Sequence, residues 1–307
     1  MELIGRPSSK EAMTSKPPVG VVGLGIMGFA FASNLLAKGY PVHVYNRTLE
    51  KAAPLVQRGA TLEVTPRELG RKVSVVITSL TDDQATESMA FGDFGFLAGT
   101  PRPAVWLDMS TIDPEASLRQ AQAAQKLGVT RLDVPVVGSN DLAERGEVIL
   151  LVGGDEGTYR TLQPLLRDLG KTVIYLGAAS NGHRMKLAVN LYLGLVAESL
   201  SEVLVLALKL GFDTRTFIET LNQTPHRNYY SVVKGARLEA QDFTPAFSLA
   251  NLLKDIRLAM SEAQRTGAVL PISQIVLQRF TSAAARGDGP KDFSIIALEL
   301  QRENHLT

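Results

Sequence analysis

One stretch constrains this chain more than any other: a short apolar strand that runs straight into a glycine-rich turn and then a helix. Val19-Gly20-Val21-Val22 leads into Gly23-Leu24-Gly25-Ile26-Met27-Gly28, after which Phe31, Leu35 and Leu36 give a helical apolar face. At such a junction Gly23 allows the tight turn, Gly25 lets the backbone approach a pyrophosphate, and Gly28 lets the helix pack closely on the sheet. The phosphates would meet the free N–H groups of the first helical turn, at the positive end of the helix dipole. Gly23, Gly25, Ile26, Met27 and Gly28 are therefore the candidate phosphate-binding residues. Three glycines also mark ordinary turns, but here the strand, the helix and a second strand from Pro41 to Tyr45 are all in place, which favours a dinucleotide site.

The end of that second strand bears on which dinucleotide. An acid about 20 residues past the glycines would bind ribose hydroxyls; this region reads Tyr45-Asn46-Arg47-Thr48, without one. Arg47 suits a 2′-phosphate, and Asn46 and Thr48 suit donation to it, so NADP (NADPH) is the expected cofactor. The plain alternative is a surface arginine.

With 307 residues, 45% of them hydrophobic, the chain has enough for a substantial core, and two domains are expected. Its 32 basic and 31 acidic residues leave no general field for nucleic acid or an anionic membrane, so neither partner is expected. The absence of cysteine excludes disulfides, thiol catalysis and cysteine-ligated metal; it suits a reducing compartment, and a cytoplasmic location is expected. His43, His183, His226 and His305 form no helical pair with metal-ligand spacing, so no metal is expected. Residues 1–16 are polar, lack the apolar segment of a secretory signal, and read as a flexible leader.

Along the chain, 49–58 reads as a helix, 61–64 as a short strand, and 73–78 as a fully buried strand. Residues 104–107 form another strand, Asp113-Pro114 opens a helix with a capping Asp and a proline at its first position, and 130–133 is a further strand. This alternation implies an α/β fold with a doubly wound parallel sheet. Segments 148–152 and 172–175, on either side of a helix over 155–169, are expected to extend that sheet. Past Gly177 strand signals stop. A helix over 182–210 is apolar on most of its circumference, with Met185, Val189, Tyr192, Leu193, Val196, Leu200 and Val203 as its expected buried residues. Glu198 and Glu202 interrupt it and argue against a membrane span. Helices near 214–221, 249–265 and 271–286 and a last one from 292 follow. The expected organisation is a leader (1–16), a dinucleotide-binding Rossmann domain (17–180) and an all-helical second domain (181–307), joined by the long buried helix.

Four stretches could carry chemistry. Asp108-Met109-Ser110-Thr111 follows a strand, where open sheets place ligands; its hydroxyls either cap the next helix or reach the nicotinamide and substrate. In Asp133 to Asn140, Gly138 and Ser139 either form a plain loop or present N–H groups to an anion. Lys186 and Asn190 lie one turn apart on one face of the long helix; together they suit a carbonyl oxygen that gains a proton, whereas a lysine reaching out from a helix end would do nothing. Lys254 and Arg257 share a helix face, which is either solvated or closes over the cofactor.

In this order, the glycine turn and these four stretches resemble the β-hydroxyacid dehydrogenase family, which includes 3-hydroxyisobutyrate dehydrogenases and glyoxylate/succinic semialdehyde reductases. The likeness runs from Val19 to about Leu300: the glycine turn with Asn34-Leu35 matches its cofactor signature, Asp133 to Ser139 its substrate segment, Gly182 to Asn190 its catalytic segment, and Lys254 to Ala259 its late motif. The resemblance implies that Lys186 is the general acid/base and that Asn190 helps hold the substrate. It also implies that Ser110 and Thr111 lie near the nicotinamide, that Gly138 and Ser139 bind the substrate carboxylate, that Lys254 contacts substrate or cofactor, and that the helical domain builds a homodimer or homotetramer. Val137 stands where many members have serine, and Val189-Asn190 where many have two asparagines. With Asn46-Arg47-Thr48, these departures move the expectation toward NADPH-dependent reduction of small carboxylated aldehydes or keto acids, glyoxylate and succinic semialdehyde first. The alternatives are an NAD(P)-dependent 3-hydroxyacid dehydrogenase, an imine reductase on the same fold and a non-catalytic NADP-binding protein.

Overall fold

A computed structural model describes residues 16–306; all of the expected leader except Lys16 lies outside the described residues. The chain divides into two compact units. Among the described residues, the first takes 16–110 and 115–181, the second Thr111–Pro114 and 182–306.

The first unit starts with β1 (Val19–Val22), α1 (Ile26–Ala37), β2 (Val42–Tyr45), α2 (Ala53–Gln57), β3 (Thr61–Leu62) and α3 (Pro66–Lys72). It continues with β4 (Val75–Thr78), α4 (Asp83–Phe91), β5 (Val105–Asp108), α5 (Pro114–Lys126) and β6 (Thr130–Asp133). These six strands form a parallel sheet in the order β3-β2-β1-β4-β5-β6, which reverses direction beside β1. Its central strands β4 and β5 are buried on both faces because their apolar residues alternate between two cores: Val75, Ile77 and Leu107 enter one, Val76 and Trp106 the other. Residues 49–58 do not form one helix. A 3-10 turn over Leu49–Ala52 hands over to α2, whose early Pro54 has no N–H to continue the preceding turn.

The segments expected to extend this sheet instead build a second one. β7 (Val136–Val137) precedes α6 (Asn140–Arg145), β8 (Val148–Val152), α7 (Glu156–Thr161), α8 (Gln163–Leu169) and β9 (Gly170–Tyr175). The three strands pair as β7-β8-β9, with β7 antiparallel to β8. The cause lies just past β6. Pro135 offers no N–H to a ladder, so the parallel pairing of β6 ends before it; past β6 the chain lies antiparallel to β8, with Leu151 N donating to the Pro135 carbonyl at 3.0 Å and Asp133 bridging to Gly153. The helix expected over 155–169 is likewise two, because Pro164 starts a new one.

The second unit contains α9 (Asn181–Lys209), α10 (Thr214–Gln223), α11 (Tyr229–Glu239), α12 (Leu249–Thr266), α13 (Pro271–Ala283) and α14 (Ile296–Glu303). Sequence periodicity missed α11, which Asn228 and Ser231 cap reciprocally. Leu200 and Leu204, Leu252 and Ile256, Val276 and Phe280, and Ile296 meet in one core. The expected burial of α9 is corrected. Of the residues named above only Leu200 is buried; Met185, Tyr192 and Val203 are exposed, and Val189, Leu193 and Val196 are half-buried. The helix is apolar nearly all round, while the packed neighbours cover only the side of Leu187, Asn190, Ala197 and Leu204. Glu198 is on the covered side, where burial pushes its carboxyl up to about 7 although Arg279 lies 3.2 Å away.

Candidate active site

In the first unit the glycine turn sits at the carboxyl edge of β1, where the strand order reverses. Gly23 has φ +95°, and a Cβ on it would stand 2.4 Å from the Ser79 carbonyl oxygen. A Cβ on Gly28 would stand 1.9 Å from the Gly23 carbonyl oxygen. Gly25 is exposed, with nothing within 4 Å of where its Cβ would be. Packing therefore demands Gly23 and Gly28, while Gly25 leaves an open cradle. Helix α1 has Gly25 at its N-cap, no capping side chain and no acid in its first turn. Its first N–H groups, including those of exposed Ile26 and half-buried Met27, are thus available to an anion. This arrangement fits a pyrophosphate. Gly28→Ala is expected to cost about 1–3 kcal/mol through overpacking, read as a lower thermal midpoint, and an unchanged midpoint would contradict the close approach.

Asn46 has a task that the sequence did not reveal. Its Oδ1 accepts from Leu24 N at 2.9 Å and its Nδ2 donates to the Thr48 carbonyl at 2.8 Å, so it ties the glycine turn to the end of β2. Arg47 and Thr48 are exposed; the Thr48 side chain caps nothing, and Arg47 makes no hydrogen bond or ion pair with a described residue. A guanidinium and a hydroxyl therefore stand exposed just past the end of β2.

The other first-unit candidates are more constrained. Ser110 is buried, and its Oγ accepts from Leu80 N at 3.0 Å. Gly138 has φ +147°, and a Cβ on it would stand 2.8 Å from Val148 Cγ1. Ser139 precedes α6 but does not cap it, because its hydroxyl donates to Asp141. That bond is the main reason the Asp141 carboxyl is held below its usual range. With its hydroxyl engaged by a carboxylate, Ser139 offers an incoming anion its backbone N–H rather than its side chain.

The second unit gathers Thr111, Lys186, Asn190 and Lys254. Asn190 is buried, and its Nδ2 donates to Asp255 Oδ2 at 2.6 Å. Lys254 Nζ lies 3.0 Å from Asp255 Oδ1 and donates to the Thr111 carbonyl. Asp255 thus organises the cluster, and it was not among the candidates. Its signal was available: it falls on the same helix face as the buried Leu252 and Ala259, where an acid needs a partner. Lys186, one turn before Asn190, is half-buried and makes no hydrogen bond or ion pair with a described residue. Its amine is lowered to about 8, chiefly by burial; the Lys254 charge lowers it further and the Asp255 carboxylate opposes both. A lysine poised near neutral pH beside an oriented amide can hold a carbonyl oxygen and exchange a proton with it.

Comparison with known proteins shows the family of the chain. Residues 18–177 match the model for the NAD-binding domain of 6-phosphogluconate dehydrogenase, and residues 180–300 that for the NAD-binding domain of NADP-dependent 3-hydroxyisobutyrate dehydrogenase. Glyoxylate/succinic semialdehyde reductase 1 of Arabidopsis thaliana is 36% identical, over 93% of this chain and 99% of that one. Among solved structures, Mycobacterium tuberculosis 3-hydroxyisobutyrate dehydrogenase with L-serine superposes with a TM-score of 0.82 at 27% identity, covering 93% of this chain and 99% of the other. Psf3 in complex with NADP+ and 2-OPP gives a TM-score of 0.83 at 27% identity, covering 92% and 99%. The chain is therefore an NAD(P)-binding oxidoreductase.

Proposed function

We propose that this chain, which belongs to the β-hydroxyacid dehydrogenase family, reduces small carboxylated aldehydes or keto acids, glyoxylate and succinic semialdehyde first, with NADPH. The observation that carries the reading is the lysine: Lys186 stands at about 8 beside an asparagine that Asp255 holds in place. When bound, NADPH supplies the hydride. Asn190 and Lys186 hold the carbonyl oxygen, and Lys186 Nζ–H gives it the proton that completes the alcohol. The backbone N–H groups at Gly138 and Ser139 receive the substrate carboxylate, and the uncapped start of α1 receives the pyrophosphate. The similarity to a glyoxylate/succinic semialdehyde reductase supports this substrate class, and exposed Arg47 and Thr48 support NADPH over NADH.

The test follows reduced-cofactor absorbance at neutral pH with glyoxylate and succinic semialdehyde, NADPH and NADH side by side. Rapid loss of NADPH and little loss of NADH is expected; no loss of either would sink the reductase reading.

We also infer that a second copy of the chain covers α9. Met185, Tyr192, Val203 and Leu206 are all exposed and recur on one face at the helical repeat of about 3.6 residues. Light scattering should show a dimer or larger assembly, and the double variant Tyr192→Glu, Leu206→Glu should run as a monomer. A wild-type monomer at micromolar concentration would rule this out.

A further inference from the structure

In the first unit a buried ion pair joins β5 to β6 and, through a hydrogen bond, reaches the neighbouring strand β4. The side chains of Arg131 on β6 and Asp108 on β5 are both fully buried, with a guanidinium nitrogen 2.5 Å from Asp108 Oδ2. Arg131 also donates to Ser117 Oγ at 2.7 Å and lies over the Trp106 ring, 4.6 Å from its centroid. On its other oxygen Asp108 accepts from Thr78 Oγ1 on β4 at 2.8 Å and from the Ser110 N–H at 3.1 Å. Trp106 Nε1 in turn donates to Thr78 Oγ1 at 2.8 Å.

This network continues to the edge of the sheet. The Ser110 hydroxyl accepts from Leu80 N at 3.0 Å. Ser79 and Leu80 wall the glycine turn, since a Cβ on Gly23 would meet the Ser79 carbonyl oxygen at 2.4 Å and Leu80 Cδ2 at 2.7 Å. Contacts thus run from β6 through β5 and β4 to the loop that backs the phosphate-binding turn.

Stability alone does not call for such a pair, because two buried charges are often replaced by apolar side chains of similar volume at no loss. An apolar pair could not, however, accept from the Ser110 N–H or fix the hydroxyl that holds Leu80. On the dinucleotide reading, the adenosine end would lie over β2 beside Arg47 and the other half would extend across the turn toward β4 and β5. We propose that the Asp108–Arg131 pair is a positioning device for the nicotinamide half of the cofactor: it sets Ser110 and the Ser79–Leu80 loop against the glycine turn. This rests on the dinucleotide reading above.

The test uses the full chain carrying Asp108→Leu and Arg131→Met together, with three measurements: thermal unfolding, affinity for NADPH, and affinity for adenosine 2′,5′-bisphosphate, which carries only the adenosine end. The expected result is a folded protein whose NADPH dissociation constant rises about tenfold or more while its affinity for the bisphosphate stays at the wild-type value. Unchanged NADPH affinity overturns the proposal. So does equal weakening of both probes, which would report general loosening of the unit. Should the double variant fail to fold, Arg131→Lys, which keeps the charge but cannot hold both Asp108 and Ser117, is judged by the same outcomes. A wild type that binds neither probe refutes the cofactor reading and this proposal with it, whereas a wild type that binds both and a variant that matches it refute the proposal alone.

Discussion

Lys186→Ala is expected to lower turnover about 10²- to 10⁴-fold, the usual contribution of a positioned acid/base, while NADPH affinity stays at the wild-type value. The cofactor contacts assigned above lie on the glycine turn and the end of β2, so losing the amine leaves them intact. The wild-type enzyme should also show the titration of this group. Reduction needs the ammonium form as proton donor, and burial holds Lys186 at about 8, below an ordinary lysine. The protonated fraction therefore falls as pH rises through 8, so reduction should be flat below that value and decline above it. Oxidation of the hydroxy acid needs the neutral amine and should rise across the same interval. Turnover of the alanine variant near wild type, or profiles with no break near 8 in either direction, would remove Lys186 from the proton transfer.

The second large effect falls on cofactor choice. Arg47→Ala should lower the preference for NADPH over NADH by about 10- to 150-fold, the equivalent of one or two hydrogen bonds to a charged group. Nearly all of the change should appear in the NADPH constants, because NADH has no 2′-phosphate to lose. Thr48→Ala should produce a smaller shift in the same direction. Asn46→Ala should behave differently: its amide holds Leu24 to the end of β2, so both cofactors should weaken alike. If Arg47→Ala left the ratio of the two cofactors unchanged, the arginine would be a surface cation and the case for NADP would fail.

Much of the site was legible because its demands are local. A glycine that needs φ +95°, and another whose Cβ would strike a carbonyl 1.9 Å away, can be read from residue type and spacing once the flanking strand and helix are recognised. The alternation of strand and helix through β6 is a local pattern too, and the parallel sheet follows from it. Lys186 and Asn190 belong to one helix, where a spacing of four residues places both side chains on one face. What stayed hidden depends on partners remote in sequence. Asp255 acquires its meaning only when α12 brings it to Asn190, which lies on another helix.

The chain by itself therefore determined the parallel sheet, the glycine turn and the helical second unit, since each follows from backbone geometry or from periodicity within one element, whereas spacing only set Lys186 and Asn190 on one face and the resemblance to a family gave the lysine its expected role. Tertiary structure alone decided that β8 and β9 leave the main sheet, that α9 keeps one apolar face bare, and that Lys186 titrates at about 8. Those outcomes depend on which strand wins a ladder, how far neighbours cover a helix, and how much water and charge surround an amine. Such quantities are sums over residues far apart in the chain, and periodicity within a single element carries no record of them.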